Sequence, residues 1–204
     1  MKVIGITGGI GSGKSDVLNY LESNGAYVVE ADKLAHTLME PGGKVYNKIV
    51  EHFGNAILCD DGRIDRKQLG SIVFADENAL QSLNSIVHPQ VKDFIKHDIE
   101  NKRSAGKTGV YVIEAALLIQ DGYRLICDEI WYIYVNRDER VKRLVKGRGG
   151  EASSYISVID NQDTDEYYMS NSDVVVDNNG PFKKTEAALK ELLNKSICCD
   201  TITD

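Results

Sequence analysis

Short apolar runs rich in β-branched and aromatic residues recur along the chain, as is typical of buried strands. They lie at Lys2–Thr7, Tyr27–Glu30, Val110–Glu114 and Glu129–Val135, with a weaker fifth run at Asp173–Asp177. Between these runs, apolar residues recur at helical spacing instead. Strands that alternate with helices predict a parallel sheet covered by helices on both faces.

Three groups of apolar residues mark the buried faces of predicted helices. They are Val17, Leu18 and Leu21 in the first helix, Val91, Phe94, Ile95 and Ile99 in a middle helix, and Leu189, Leu192 and Leu193 in the last. The pattern therefore predicts an α/β fold in which helices separate the strands and a last helix follows the fifth strand.

The stretch between Pro41 and Lys107 has helical faces but no convincing strand. One face, which includes Leu80, ends just before His88-Pro89. Because proline disfavours helix at the preceding residue, we expect the chain to bend at His88 and a new helix to start at Pro89. We interpret residues 41–107 as a helical insertion, and residues 147–169 as a second excursion between the fourth and fifth strands.

The composition fits one domain, spanning residues 1–204, with a core large enough to fold without disulfides or metals. The chain has 204 residues, of which 42% are hydrophobic, and a net charge of −7. The acidic balance provides no broad footprint for phosphate-backbone binding, so we expect no nucleic-acid partner. No apolar run is long enough for a signal peptide or a membrane span, so we expect a soluble protein with no membrane partner.

The four cysteines are scattered without metal-ligand spacing, and two of them are adjacent near the polar C-terminal residues. They are Cys59, Cys127, Cys198 and Cys199. Reduced thiols in a cytoplasmic protein fit this arrangement best. The sequence leaves the oligomeric state and any role of Cys198 and Cys199 open.

A glycine-rich segment follows the first strand and precedes the first helix. It reads Gly8, Gly9, Ile10, Gly11, Ser12, Gly13, Lys14 and Ser15, which satisfies the phosphate-loop pattern G-x-x-x-x-G-K-[ST] in the context that the pattern requires. Glycines let backbone N–H groups point at phosphate oxygens, and the helix N-terminus adds its positive dipole end. The segment predicts that the chain binds ATP.

The charged and hydroxyl residues of the loop indicate phosphoryl chemistry. Lys14 is expected to reach the β- and γ-phosphates, and Ser15 to ligate Mg²⁺. A dinucleotide fingerprint is disfavoured because Lys14 stands where its third glycine belongs.

Carboxylates near the ends of two predicted strands are candidates for the acceptor side, because ligands of open α/β sheets bind there. Asp32 follows the second strand and is either a base for the attacking hydroxyl or the N-cap of the next helix. Glu114 ends the third strand and is a candidate for fixing the acceptor or holding Mg²⁺ through water. Arg66, in the pair Asp65-Arg66, and His88 are weaker candidates for contacting an anionic acceptor, since a cap or packing role also explains them.

Taken together, these residues resemble the dephospho-coenzyme A kinase family over almost the whole chain. Landmarks in the family's order are the segment from Ile6 to Ser15, Ala31-Asp32, Gly62 to Arg66 leading to Val73-Phe74, Val87-His88-Pro89, Ala116 to Leu118, Gln162, and Val176 to Gly180. The resemblance implies a three-layer P-loop NTPase core with a mostly parallel five-stranded sheet, a helical substrate-binding insertion and a lid.

The resemblance also implies roles for individual residues. Asp32 would activate the ribose 3′-hydroxyl of dephospho-coenzyme A for attack on the γ-phosphate of ATP. Residues 41–107 would form the coenzyme A side, with Arg66 and His88 as contacts. The adenine of ATP would lie near the loop from Asp177 to Gly180, which includes Asn178 as a nucleotide-binding residue. Asp16, next to the nucleotide loop, stands where the family usually has Thr or Ser.

The predicted lid, residues 147–169, departs from the family because it is poor in arginine. No Lys or Arg occurs from Gly149 through Phe182, and acidic residues are frequent there. Arg143 and Arg148 are therefore the candidates for the positive charge that stabilises the transferred phosphoryl group, unless they belong to a solvated helix face.

The leading interpretation is an enzyme that transfers the γ-phosphoryl group of ATP to dephospho-coenzyme A. Two alternatives remain: a kinase for another small hydroxylated metabolite, and a nucleotide-binding protein whose acidic lid no longer supports transfer.

Overall fold

A computed structural model describes residues 1–107 and 109–198 of the chain. The chain divides into two compact units, which we describe separately. The first contains Met1–Val29 and the described residues from Arg103 onwards, and the second is Glu30–Lys102. Cys199 lies outside the described residues, as does the polar segment 200–204.

The first unit is built on a five-stranded sheet. Its strands are β1 (Lys2–Thr7), β2 (Tyr27–Glu30), β3 (Val110–Glu114), β4 (Glu129–Tyr134) and β5 (Val174–Asp177), in the order β2-β3-β1-β4-β5. β1 pairs in parallel with β3 and β4, and β4 pairs in parallel with β5. The five predicted strands are confirmed, except that β4 ends one residue earlier and β5 begins one residue later than expected.

Helices occupy most of the remaining described chain. They are α1 (Lys14–Ser23), α2 (Ala31–Leu38), α3 (Lys44–Phe53), α4 (Arg66–Ala75), α5 (Glu77–Ser104), α6 (Arg137–Arg148), α7 (Ala152–Asp160), α8 (Asp165–Ser170) and α9 (Phe182–Cys198). Short 3-10 turns lie at Asn55–Ile57 and Tyr123–Leu125. The predicted α/β class is confirmed.

The central strands are buried on both faces. Ile4 and Ile6 of β1 join one apolar cluster with Leu21 of α1 and Leu189 of α9. On the opposite face of β1, a Cβ added to Gly5 would lie 3.0 Å from side-chain atoms of Leu118 and Cys127. Residues that alternate along a strand point to opposite faces, which explains why β1 is apolar throughout rather than at every second position.

The second unit is helical around a core of aliphatic side chains. Its fully buried residues include Ile49 of α3, Ile57 of the 3-10 turn and Ile95 of α5. An isolated antiparallel bridge between Leu58 and Ile64 closes a tight turn between the 3-10 turn and α4.

The expected helix boundary at Pro89 is wrong, because α5 runs without interruption through the proline. The buried residues Val87, Val91, Ile95 and Ile99 follow one another at intervals of four, so the packed face continues across Pro89. Because proline has no N–H, Pro89 cannot donate the helical hydrogen bond to the carbonyl of Ser85. Ser85 is exposed, so water can satisfy that carbonyl, and tertiary packing outweighs the local preference.

Phe94 was expected on the buried face of this helix, and that expectation is also wrong. Phe94 is 46% exposed, whereas Ile95 is completely buried. Phe94 follows Val91 by three residues, which places it at the margin of the stripe formed by Val91 and Ile95.

Asp173 joins three segments at the start of β5. Its carboxylate accepts bonds from the Ile130 N–H at 2.7 Å and from two nitrogens of Arg124. The hydrogen bond from Arg124 is the main cause that lowers the pKa of Asp173 below its ordinary value. The charged carboxylate is therefore the form that the fold stabilises.

We expect Asp173→Asn to lower the free energy of unfolding at pH 7 by about 1 kcal/mol, a small value because Arg124 is half exposed and water screens the pair. A lowered pKa contributes stability above the unfolded value of about 3.9 and loses it as the pH falls through the folded value. Urea unfolding at pH 7 and below pH 3 checks both parts. Asp160→Asn, which removes a solvent-exposed pair with Arg137, is the control and should cost less.

Candidate functional site

The glycine-rich loop connects the carboxyl end of β1 to the N-terminus of α1. Gly11 and Gly13 have left-handed backbone conformations, with φ of 78° and 82°. A Cβ at Gly13 would also lie 2.6 Å from the Asn178 amide nitrogen, so both the backbone conformation and the lack of space favour glycine here. Lys14 and Ser15 form the first turn of α1, where the orientation of the backbone N–H groups and the helix dipole favour an anion.

Lys14 and Glu114 lie side by side where β1 and β3 end. The Lys14 ammonium donates to the Gly8 carbonyl at 2.7 Å and lies 3.9 Å from a carboxylate oxygen of Glu114. The strand register explains this proximity, because Glu114 pairs with Ile6 two residues before the loop begins. The structure thus brings together two of the residues singled out from the sequence.

The side chain of Asn178 links the phosphate loop to the segment after β5 through hydrogen bonds. Its side-chain amide donates to the Ser12 carbonyl at 2.8 Å and accepts from the Thr185 hydroxyl at 2.8 Å. Asn178 is only 3% exposed. Its position beside the loop fits the sequence expectation of a residue near the nucleotide, but both polar ends of its side chain bond within the protein.

The two arginines proposed for the transferred phosphoryl group occupy different places on α6. Arg143 donates to the Asn178 carbonyl at 2.7 Å and pairs with Glu139 at 3.3 Å. One of its terminal nitrogens would lie 3.6 Å from a Cβ added to Gly13, so it is next to the loop. Arg148 is the exposed last residue of the helix.

Sequence reasoning missed Arg140 as a site residue. It is 4% exposed, and its guanidinium donates to the Ile10 carbonyl at 2.9 Å. The sequence carried no clear signal for it, because its burial, which in α6 it shares with Leu144, is a property of the folded chain. A buried arginine on an otherwise charged helix indicates a polar partner inside the fold.

The predicted lid segment contains α7 and α8. Gln162, in the turn between them, accepts a bond from the Ile10 N–H at 3.0 Å, so this segment contacts the phosphate loop. Acidic side chains of the segment are engaged within the protein: Asp160 pairs with Arg137, Asp163 accepts from Gln120, and Asp165 accepts from Tyr132.

The remaining candidates from the sequence belong to the second unit. Asp32 is exposed in the first turn of α2, but Glu30 occupies the N-cap position, so the N-cap explanation of Asp32 is wrong. Within residues 1–107 and 109–198, no hydrogen bond or ion pair engages the Asp32 carboxylate. His88 is half-buried in the middle of α5.

Arg66 lines a cavity of about 530 Å³ in the second unit. Its guanidinium lies 4.0 Å from Glu40, a contact that leaves it largely exposed. The other lining residues are mostly apolar, with two further charged groups and a thiol; they are His36, Met39, Glu40, Cys59, Arg63, Ile64, Leu69, Gly70, Val73, Phe74, Leu80 and Leu83. His88 is not among them.

Two cysteines differ sharply in environment. Cys59 is an exposed free thiol and Cys127 is buried, where loss of water contact raises the pKa of its thiol to about 12.

No group of three or more His, Cys, Asp or Glu side chains suited to a metal ion occurs among the described residues. None of the helices in this part of the chain is long and apolar enough to cross a membrane.

Comparisons with known proteins match the chain to one family. A family model described as dephospho-CoA kinase matches residues 2–184. A dephospho-CoA kinase of Geobacter sulfurreducens is 40% identical over 195 residues, covering 96% of this chain and 98% of its own. A second, from Carboxydothermus hydrogenoformans, is 37% identical, with 96% and 94% of the two chains covered.

A solved structure has the same fold. A crystal structure of a Thermus thermophilus protein superimposes with a TM-score of 0.77 and 26% identity, covering 95% of this chain and 97% of the other. The phosphate loop between β1 and α1, the buried contacts that hold it, and a family match over nearly the full length lead to one conclusion: the chain belongs to the dephospho-CoA kinase family.

Proposed function

We propose that the protein transfers the γ-phosphoryl group of ATP to the ribose 3′-hydroxyl of dephospho-coenzyme A, giving coenzyme A and ADP. The observation that carries this proposal is the phosphate loop with Lys14 at the start of α1, in a chain of this family. Phosphoryl transfer needs positioning and charge stabilisation more than covalent chemistry, and the loop supplies both.

On the donor side, backbone N–H groups of the loop and the ammonium of Lys14 bind the β- and γ-phosphates. The bond from Lys14 to the Gly8 carbonyl and the neighbouring Glu114 carboxylate support this role, because they hold the ammonium at the loop. Asp16, exposed beside Ser15 in the first turn of α1, adjoins the same phosphates.

The Ser15 hydroxyl suits Mg²⁺, which prefers oxygen ligands and usually completes its shell with water and substrate phosphates. This hydroxyl is exposed in the first turn of α1, directly after Lys14. When bound, the ion would neutralise charge on the phosphate oxygens.

On the acceptor side, Asp32 accepts the proton of the ribose hydroxyl as the oxygen attacks. Its exposed, unengaged carboxylate supports this role, because a general base needs an available oxygen. We further propose that the cavity lined by Arg63 and Arg66 receives part of dephospho-coenzyme A. Its volume is in the range of ligand pockets, its apolar walls suit the methyl and methylene groups of the pantetheine arm, and its arginines suit the diphosphate.

Arg143 is the proposed source of positive charge for the transferred phosphoryl group. We expect Arg143→Ala to lower kcat by a factor of about 10³, whereas Arg148→Ala, at the exposed end of α6, should have a much smaller effect. Steady-state kinetics at saturating ATP measure both. Equal effects of the two substitutions would contradict the assignment, as would unchanged turnover in Arg143→Ala.

The experiment that tests the function is product formation by the purified protein with Mg²⁺ and ATP, with and without dephospho-coenzyme A. We expect ADP that depends on the acceptor and equals the coenzyme A formed. ADP with another hydroxylated metabolite but not with dephospho-coenzyme A would favour a different kinase. Bound ATP without any turnover would favour a nucleotide-binding protein.

We also propose that the cysteine thiols of the protein are reduced and that the protein is cytoplasmic.

A further inference from the structure

Arg140 carries a buried positive charge whose partners all lie around the phosphate loop. Its Nε donates to the Ile10 carbonyl at 2.9 Å, one Nη donates to Gln162 Oε1 at 2.7 Å, and the other lies 3.8 Å from Asp165. A charge with 4% exposure is costly unless its hydrogen bonds are satisfied, so these contacts fix the orientation of the guanidinium.

Gln162 completes the contact from the other side of the same loop residue. Its Oε1 accepts from the Ile10 N–H at 3.0 Å and from Arg140 at 2.7 Å. The N–H and the C=O of Ile10 are therefore both held, one by Gln162 and the other by Arg140. This pair restrains the peptide units on both sides of a residue that stands between Gly9 and Gly11.

The loop also packs closely against Arg140. A Cβ at Gly9 would overlap the guanidinium, and one at Gly11 would lie 3.0 Å from the Arg140 carbonyl. A side chain at position 9 would therefore displace the Arg140 guanidinium, whereas the φ of Gly9, which is not in the left-handed region, would not by itself exclude one. Without such restraint a loop rich in glycine has many accessible conformations.

A second layer of contacts holds Arg140 in turn. Asp165, the first residue of α8, accepts from the Tyr132 hydroxyl at 2.6 Å and faces Arg140. Tyr132 stacks on Tyr168 of the same helix with ring centroids 5.0 Å apart. The chain of contacts therefore runs from β4 and α8 through Asp165 and Arg140 to the loop.

We propose that Arg140 and Gln162 are positioning residues that hold the phosphate loop in its anion-binding conformation before ATP arrives. This inference rests on the proposed function, because it assigns the loop to ATP. A preformed loop does not have to be ordered when the nucleotide binds, so the pair raises the affinity for ATP without touching the acceptor.

Two substitutions test whether Arg140 and Gln162 act by positioning the loop or only through the charge of Arg140. Arg140→Lys keeps the positive charge but cannot bond to Ile10 and Gln162 with the same planar fork, and Gln162→Met keeps size and shape but removes the shared acceptor. We expect each to weaken ATP binding about tenfold, as the loss of a charge-assisted or shared hydrogen bond entails. The double variant should be little weaker than either single variant, since Arg140 and Gln162 are bonded to each other and both hold Ile10.

Matched controls are available in the same part of the fold. Arg137→Lys makes the same change on the same helix at an exposed pair with Asp160, and Gln120→Met removes an exposed bond to Asp163. Both should leave ATP binding within about twofold of the wild type, the scatter expected for a surface substitution.

The measurements are ATP affinity by calorimetry without acceptor, KM for dephospho-coenzyme A, and hydrogen exchange of the loop amides. We expect weaker ATP binding, an unchanged KM for the acceptor, and faster exchange at Ile10 in Gln162→Met. Wild-type ATP affinity in folded Gln162→Met would overturn the proposal, whether or not Arg140→Lys folds. A wild-type protein that binds ATP but makes no coenzyme A would refute the acceptor assignment alone, and one that does not bind ATP would refute both proposals.

Discussion

Replacement of Asp32 by Asn is expected to lower kcat by a factor of about 10³ while the dissociation constant for ATP stays nearly unchanged. An amide cannot accept the proton of the attacking hydroxyl, and a positioned general base contributes about 10²- to 10⁴-fold to such reactions. The exposed carboxylate makes no bond that the substitution would break within the described residues, so folding should be unaffected. Single-turnover kinetics and ATP titration measure the two quantities.

Glu77→Gln is a suitable control for Asp32→Asn. Glu77 is also an exposed carboxylate in the first turn of a helix of the second unit, and it has no proposed role. We expect its variant to turn over at the wild-type rate. Near-normal turnover in Asp32→Asn would show that Asp32 takes no part in the reaction. Asp32 would then be an acidic residue in the first turn of α2, where its charge interacts favourably with the helix dipole.

Replacement of Lys14 by Met is expected to reduce kcat/KM for ATP by a factor of about 10² to 10³, comparable to the loss of one charge-stabilising donor in other active sites. The substitution keeps an unbranched side chain of similar length but removes the ammonium that bonds to the Gly8 carbonyl. It also leaves the Glu114 carboxylate without this neighbouring cation. ATP affinity and kcat should therefore both fall.

Lys142→Met makes the same chemical change at an exposed position of α6 and should leave both constants close to those of the wild type. If Lys14→Met bound and used ATP as the wild type does, the loop would not hold the phosphates through this residue. Thermal unfolding of both variants separates a direct effect on ATP from a loss of structure.

The acidic side chains of the predicted lid segment are in part engaged by other groups of the protein. Three of its carboxylates are engaged with Arg137, Gln120 and Tyr132, so their charges are offset or held by protein groups. The positive side chains next to the loop are Lys14 and, from α6, Arg140 and Arg143, which donate to the Gly8, Ile10 and Asn178 carbonyls respectively. Positive groups therefore lie next to the loop although the predicted lid segment has no Lys or Arg from Gly149 onwards.

Local patterns predicted the features whose cause is itself local. Unbroken apolar runs marked β1, β3 and β4 because strands buried on both faces need apolar residues at every position. The phosphate loop could be read directly, since glycine conformation, Lys14 and Ser15 are fixed by neighbouring residues. The proximity of Lys14 and Glu114 was not predicted, although Glu114 was expected at the carboxyl end of a strand parallel to the one that precedes the loop.

Features that depend on distant contacts could not be read in this way. The amino-acid sequence by itself determined the α/β class, the five strands, the nucleotide loop and the family. Only the tertiary structure decided that α5 continues through Pro89, because a buried face on both sides of the proline compensates for one lost hydrogen bond. It also decided that Arg140 and Gln162, 22 residues apart, both contact Ile10. The acceptors of a buried guanidinium are the groups that lie near it in the folded chain, and local sequence does not identify them.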